Sequence, residues 1–252
     1  MPKEAGGSPT SSVERALTLL ATFGDQRVEL SVTDISKRLG VHKSTASRLA
    51  ATLERSGFLV RSGERYRLGA EVMRLGDVAL KSFDVVSAAQ PAMKRLAELT
   101  GETVNLGIVD GEHVLNVAEV PSAFIVSSAT GWTGRRTKPH AVANGKVLLA
   151  FAGMPLPTTL DRYTDHTITS RNALERELST VRRRGFAVAV AELEDGLVAV
   201  AAPFLDGSGR CIAALSVSGP ANRLTPDRLN EVGRLCVEEG KSFTRMPALH
   251  RP

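Results

Sequence analysis

The sequence predicts an α+β protein in which short helices and a hairpin come first, and a mostly antiparallel sheet flanked by helices follows. Three observations carry that expectation. In "LSVTDISKRLGVHKSTASRLAATLERSGFL", residues 30 to 59, Gly40 interrupts one apolar rhythm, which then restarts. "ETVNLGIVDGEHVLNVAEV" reads as two strands around an Asp110-Gly111 turn, a strong hairpin signal. From residue 102 onward strand-like and helix-like stretches alternate, whereas residues 12 to 68 read as short helical segments ending in a basic hairpin.

At 252 residues, 42% hydrophobic and 23% charged, the chain can bury the core of one large domain or two ordinary ones. The two cysteines, Cys211 and Cys236, form no disulfide or metal pattern and suit a reducing, cytoplasmic setting. No apolar run approaches the roughly 18 residues of a membrane span, and the longest, around Leu197–Leu205, reads as a strand, so no membrane partner is expected. "MPKEAGGSPTSS" lacks the apolar core of a signal peptide, and residues 1–11 read as a loose, disordered leader. His42, His113, His140, His166 and His250 are scattered, which argues against a metal site or cofactor. No catalytic signature surrounds His140 or Cys211, so an enzyme is not expected; His140 is expected to cap or orient its helix.

The first paired helices begin at Ser31, which forms an S-x-x-D capping box with Asp34. Ile35 and Leu39 face inward, and Gly40 supplies the left-handed turn that ends the helix. A second helix from about Lys43 to Ser56 buries Ala46, Leu49 and Leu53 and shows Lys43, Ser44, Thr45, Ser47 and Arg48 at its start. Two helices joined in this way make a helix-turn-helix, whose second helix enters the DNA major groove. "FLVRSGERYRLG" then reads as a two-stranded wing turned at Ser62-Gly63, carrying Arg61, Arg65 and Arg67 beside Tyr66. From Arg27 to Arg67 nine basic residues face four acidic ones, an excess of five that equals the net +5 of the whole chain. That concentration is what contact with DNA phosphates requires.

Residues 69 to 99 are predicted helical, with Val72, Leu75, Ala79 and Phe83 on a stripe that suits either a dimer seam or packing on the second domain. Pro91 is expected in the first turn of a second helix, stopped by Gly101. Beyond the hairpin, "AFIVSSA" reads as a strand, "TGWTGRRTKP" as a loop, and "HAVANGKVLLAF" as a short small-residue helix. "NALERELSTVRRRG" is an amphipathic helix closed by Gly185, and "FAVAVAE", "GLVAVAAPFL" and "RCIAALSVSG" are strands, the last two joined by an Asp206–Gly209 turn. A closing helix follows, with Thr225 as N-cap and Pro226 at its first position.

Taken in order, "SVERALTLLATF", the residue 30–61 segment, "RYRLG", "TGETVNLGIVDG", "GRRTKPHAVANGKVLLAF", "TITSRNALERELSTVRRRGFAV" and "GLVAVAAPFLDGSGRCIAALSVSGPANRLT" resemble the IclR family of bacterial transcription regulators over nearly the whole chain. The resemblance implies a winged helix-turn-helix over 12–70, a linker helix over 71–86 and a GAF-like or profilin-like effector-binding domain over 87–252. It further implies a repressor that binds a pseudo-palindromic double-stranded operator as a dimer or dimer of dimers and answers to a small-molecule effector.

Strand alternation in "RCIAALSVSG" sets Cys211, Ala213, Leu215 and Val217 on one face and Ile212, Ala214, Ser216 and Ser218 on the other. Two adjacent hydroxyls can bind a carboxylate or simply face water, and the family pattern implies that Ser216 and Ser218 line the effector pocket. A helix N-terminus at "HAVANGKVLLAF" suits an anion, and there Ala143 and Asn144 match the family's backbone contacts. Ala129 and Thr137 match further lining positions. Trp132 is expected either to stack on an aromatic ligand or to anchor the fold, and Asn105 faces the pocket if the strand register allows. Ala189 stands where many family members carry an acid and Ala199 where some carry a cysteine. Both changes imply a wider, less polar pocket, whereas Asn144 adds an amide where a small residue is common in the family. Together they imply a larger acid or amide, aromatic ones included, rather than a two- or three-carbon keto acid. Two rival regulators remain open at this point: one that senses redox through its cysteines, and one whose second domain only assembles it.

Overall fold

The computed structural model describes residues 12–23, 29–82, 84–122 and 131–241. The chain divides into two compact units, Met1–Ser82 and Phe83–Pro252.

In the first unit, α1 (Ser12–Ala21) precedes β1 (Leu30–Ser31), α2 (Val32–Leu39), α3 (Lys43–Arg55), β2 (Leu59–Ser62), β3 (Arg65–Leu68) and α4 (Ala70–Ser82). Ser31 starts α2 through the expected capping box: the Ser31 amide donates to Asp34 Oδ2 at 2.9 Å, and the Asp34 amide donates to Ser31 Oγ at 3.2 Å. The Ser31 hydroxyl, which donates to Asp34 Oδ2 at 2.6 Å, and then the Ser31 amide hold the Asp34 carboxyl below its ordinary pKa. Gly40 ends the helix with φ 61°, which a side chain would resist. Leu19, Leu30, Ile35, Ala46, Ala50, Leu53, Leu59 and Tyr66 form one core, so the wing is packed on the helices that precede it. The sequence did not signal β1, whose two residues pair with Tyr66 and Arg65 and complete a three-stranded sheet in the order β1-β3-β2.

In the second unit, α5 (Asp84–Thr100) leads into β4 (Thr103–Asp110), β5 (His113–Val120), β6 (Arg136–Thr137), a 3-10 turn (Pro139–Ala141), α6 (Ala143–Phe151), α7 (Arg171–Arg184), β7 (Ala187–Val190), β8 (Leu197–Leu205), β9 (Cys211–Pro220) and α8 (Pro226–Gly240). The six strands run β6-β5-β4-β9-β8-β7, antiparallel at every pairing. Met93 and Leu96 of α5 and Val232 and Cys236 of α8 pack with Val104, Leu106, Leu215 and Val217 on one face. Val147 and Leu148 of α6 and Leu174, Leu178 and Val181 of α7 pack with Ala187, Ala189, Ala201 and Ala214 on the other. The α+β class is therefore observed as expected.

Four local expectations are corrected. Pro91 lies inside α5 rather than in its first turn; the missing amide removes the bond that the Ser87 carbonyl would take from that position, and Ser87 is exposed, so water can meet it. Both hairpins turn one residue later than read. Ser62 pairs with Arg65 and Asp110 with His113, which makes the loops Gly63-Glu64 and Gly111-Glu112. Each glycine has positive φ at the first loop position, where the strand twist asks for it. The alternation in β9 breaks at its start: Phe204 pairs with Ala213 but Leu205 with Cys211, so Ile212 is an extra residue. Cys211 consequently packs on the α6/α7 face and Ile212 on the other. The "AFIVSSA" strand and Ala129 lie outside the described residues, as do the side chains of Ala79 and Phe83; of that stripe, Val72 is half-buried and Leu75 exposed.

Candidate functional site

The first unit offers a basic surface. On α3, Ala46, Ala50 and Leu53 are buried, while Lys43, Ser44, Ser47 and Arg48 are exposed and Thr45 is half-buried. Spacings of four residues put Lys43 with Ser47, and Ser44 with Arg48, along one side of the helix. No acidic residue occupies the first turn, so the positive end of the helix dipole is not neutralised there. The N-cap is His42, whose role the sequence reading missed: its Nδ1 accepts from the Ser44 amide at 3.3 Å and lies 2.9 Å from Ser44 Oγ. Ser44 is thus engaged in the cap as well as exposed. In the wing, Arg65 and Arg67 share the face opposite buried Tyr66. Arg61, paired with Tyr66, falls on the other face and donates from Nε to the Gly63 carbonyl at 3.0 Å, so the three arginines do not form one cluster.

The second unit holds a cavity between the sheet and the N-terminus of α6, with about 490 Å³ of atom-free space including its mouth. Asn105, Trp132, Thr137, Ala143, Asn144, Ala189, Ala199, Ser216 and Ser218 all line it, drawn from seven different strands, loops and helices. Register explains the convergence. Asn105 pairs with Ser216, Ser218 pairs with Ala199, and Ala199 pairs with Ala189, so these side chains run along one face across β4, β9, β8 and β7. Asn105 Nδ2 donates to Ser218 Oγ at 3.2 Å.

Helix α6 closes the cavity from above. Gly107 lets it approach: a Cβ there would stand 2.7 Å from Asn144 Nδ2. Asn144 Nδ2 donates to Asn116 Oδ1 at 3.1 Å, and Asn144 Oδ1 accepts from the Gly145 amide at 3.0 Å. The first amide of α6 to bond back is that of Lys146, to Val142 O at 3.1 Å. The amides of Ala143 and Asn144 therefore have no acceptor within the helix, and both residues line the cavity. Trp132 is fixed by its amide, which donates to Glu119 Oε2 at 2.7 Å, and Arg135 lies 5.0 Å over its ring.

The sequence reading missed Asn116 and Glu192 as lining residues. Glu192 belongs to a buried ion pair: Lys146 Nζ donates to Glu192 Oε1 at 2.6 Å and to the Val188 carbonyl at 2.9 Å. Lys146 is 1% exposed, and Glu177 lies 3.8 Å away. Burial pushes the Glu192 carboxyl up in pKa, and the Lys146 charge pulls against that. The cavity is thus less apolar than the alanines at 189 and 199 imply. A lysine inside the otherwise apolar "ANGKVLLAF" was the available signal, because a buried charge needs a partner.

His140 does not cap α6. It is fully buried in the 3-10 turn, and its Nε2 lies 2.9 Å from the Asp161 carbonyl. Val142 is the N-cap and makes no side-chain bond. Burial pushes the Cys211 and Cys236 thiols up to about 12, so neither is a ready thiolate for redox sensing. Among the described residues no group of three or more His, Cys, Asp or Glu could hold a metal ion, and no helix is long and apolar enough to cross a membrane.

Comparison with known families assigns both units. The IclR helix-turn-helix domain matches residues 12–63, and the bacterial transcriptional regulator IclR C-terminal domain matches residues 78–242. The chain belongs to the IclR family. It is similar to the HTH-type transcriptional regulator XynR of Escherichia coli, 35% identical over 242 residues, covering 93% of this chain and 96% of that protein. It is similar to the HTH-type transcriptional repressor AllR of Klebsiella pneumoniae, 31% identical, with 92% and 88% covered. Among solved structures, an IclR homologue from Microbacterium hydrocarbonoxydans complexed with 4-hydroxybenzoate matches with a TM-score of 0.78 and 28% identity, covering 93% of this chain and 99% of that one. This IclR-family protein is a DNA-binding transcription regulator, and its named relatives are regulators rather than enzymes.

Proposed function

We propose that this chain is a cytoplasmic repressor whose operator affinity is set by a small organic acid or amide, aromatic in the simplest case, held in the α6 cavity. On this reading residues 12–70 bind DNA, 71–86 link, and 87–252 sense, with the protein acting as a dimer or dimer of dimers on a pseudo-palindromic operator. The observation that carries it is the convergence on one cavity of two serine hydroxyls, three asparagines and the open amides of α6. The donors suit an acidic or amide group. The 4-hydroxybenzoate complex of a homologue supports a cavity of this kind accepting an aromatic acid. The inert thiols weigh against the redox alternative.

For DNA, Lys43, Thr45, Ser47 and Arg48 of α3 are assigned to base edges and nearby phosphates, and Arg65 and Arg67 of the wing to phosphates. Ser44 and Arg61 serve the cap and the wing turn besides any DNA contact. Arg48→Ala is expected to weaken binding to an operator selected from random duplexes by about 1–3 kcal/mol and to affect a scrambled duplex less. Arg65→Ala is expected to weaken both and to lower the slope of log K against log salt by about one unit. Fluorescence anisotropy over a salt series measures both; equal losses for Arg48→Ala on operator and scrambled duplex would remove it from base reading.

A further inference from the structure

Three polar atoms of the cavity-lining residues are buried without a partner: Asn105 Oδ1, Thr137 Oγ1 and Glu192 Oε2. Buried polar atoms are rarely left so, and those that are need an explanation. Two of the three are acceptors, and the carboxylate oxygen is the stronger. Glu192 is the one charged side chain among the described lining residues, and the stretch 123–130, "AFIVSSAT", carries no charge in sequence.

Glu192 is also held in place. Lys146 takes Oε1 and leaves Oε2. Thr167 Oγ1 donates to the Glu192 carbonyl at 2.6 Å, and Thr164 Oγ1 donates to the Ala191 carbonyl at 2.6 Å. Ala191 itself sits at φ 53°, a left-handed backbone that alanine resists. A carboxylate fixed by its own side chain, its backbone and its neighbour is set up in advance to receive a donor.

We propose that the molecule recognised in this cavity carries a hydroxyl or amine hydrogen-bond donor that meets Glu192 Oε2, besides the acidic or amide group taken by the serines and the α6 amides. This rests on the reading of the cavity as an effector site and narrows it to hydroxy or amino acids in the broad chemical sense. An unsubstituted acid leaves Oε2 unpaired inside the complex, and a second carboxylate beside Glu192 is repelled. Glu192 is thereby a specificity-determining residue.

Calorimetric titration of the full chain with matched acids tests this: benzoate against 4-hydroxybenzoate and 4-aminobenzoate, 3-phenylpropanoate against its 4-hydroxyphenyl counterpart, and hexanoate against 6-hydroxyhexanoate. The donor-bearing member is expected to bind about 10- to 100-fold more tightly. In Lys146→Met/Glu192→Leu, which removes both charges together and whose fold is checked by a cooperative melt, the members of a pair should differ by no more than about threefold. Equal affinities within each pair in the natural chain would overturn the inference and leave the effector reading standing. A preference that persists in the double variant would overturn the assignment to Glu192. Failure of every compound in all three series to bind would overturn the effector reading and the inference with it.

Discussion

Lys146→Met is expected to destabilise the second unit by about 3–5 kcal/mol, because it leaves Glu192 charged and unpaired beneath α6. In a domain of this size that lowers the melting temperature by about 10 °C. Glu177 is less affected, since Arg184 also lies 3.8 Å from it. The companion variant Lys146→Met/Glu192→Leu should recover most of the loss, because an ion pair that is 1% and 11% exposed on its two sides contributes little net stability once both charges are gone. Thermal melts of the three proteins check this. A single variant as stable as the natural chain would mean that the pair is not buried as described.

Gly145→Ala should cost about 1–3 kcal/mol or more, although alanine is the better helix former by about 1 kcal/mol. Sterics decide the sign. A Cβ at Gly145 would stand 2.3 Å from the Pro139 carbonyl oxygen and 2.4 Å from Pro139 Cα. Both are backbone atoms and cannot swing aside, so either α6 or the 3-10 turn must move. That displaces Ala143 and Asn144, which line the cavity, and binding of any effector should weaken along with the melting temperature. Stability unchanged or raised by Gly145→Ala would contradict the close packing of α6 on the turn.

Local signals were legible in the sequence. The Ser31–Asp34 box and the Gly40 turn are decided by residues a few positions apart, and each is observed as read. The cavity lining was legible chiefly where family resemblance pointed to a position, as at Ser216 and Asn144. Glu192 was not, because its partner Lys146 lies 46 residues away and no periodicity connects them. The start of β9 was misread for a related reason: a bulge adds one residue, Ile212, and inverts the alternation before it. The Pro91 position failed because tertiary packing of Ala89, Ala92, Met93 and Leu96 carries α5 through a residue that propensity alone would put at its start.

Ligand-controlled DNA binding is most directly tested by anisotropy titration of an operator selected from random duplexes, with and without a compound that binds the second unit by calorimetry. Saturating ligand is expected to weaken operator affinity by about 5- to 150-fold, and operator to weaken ligand affinity by the same factor. A ligand that binds tightly in the cavity and leaves operator affinity unchanged would contradict the control of DNA binding from that site.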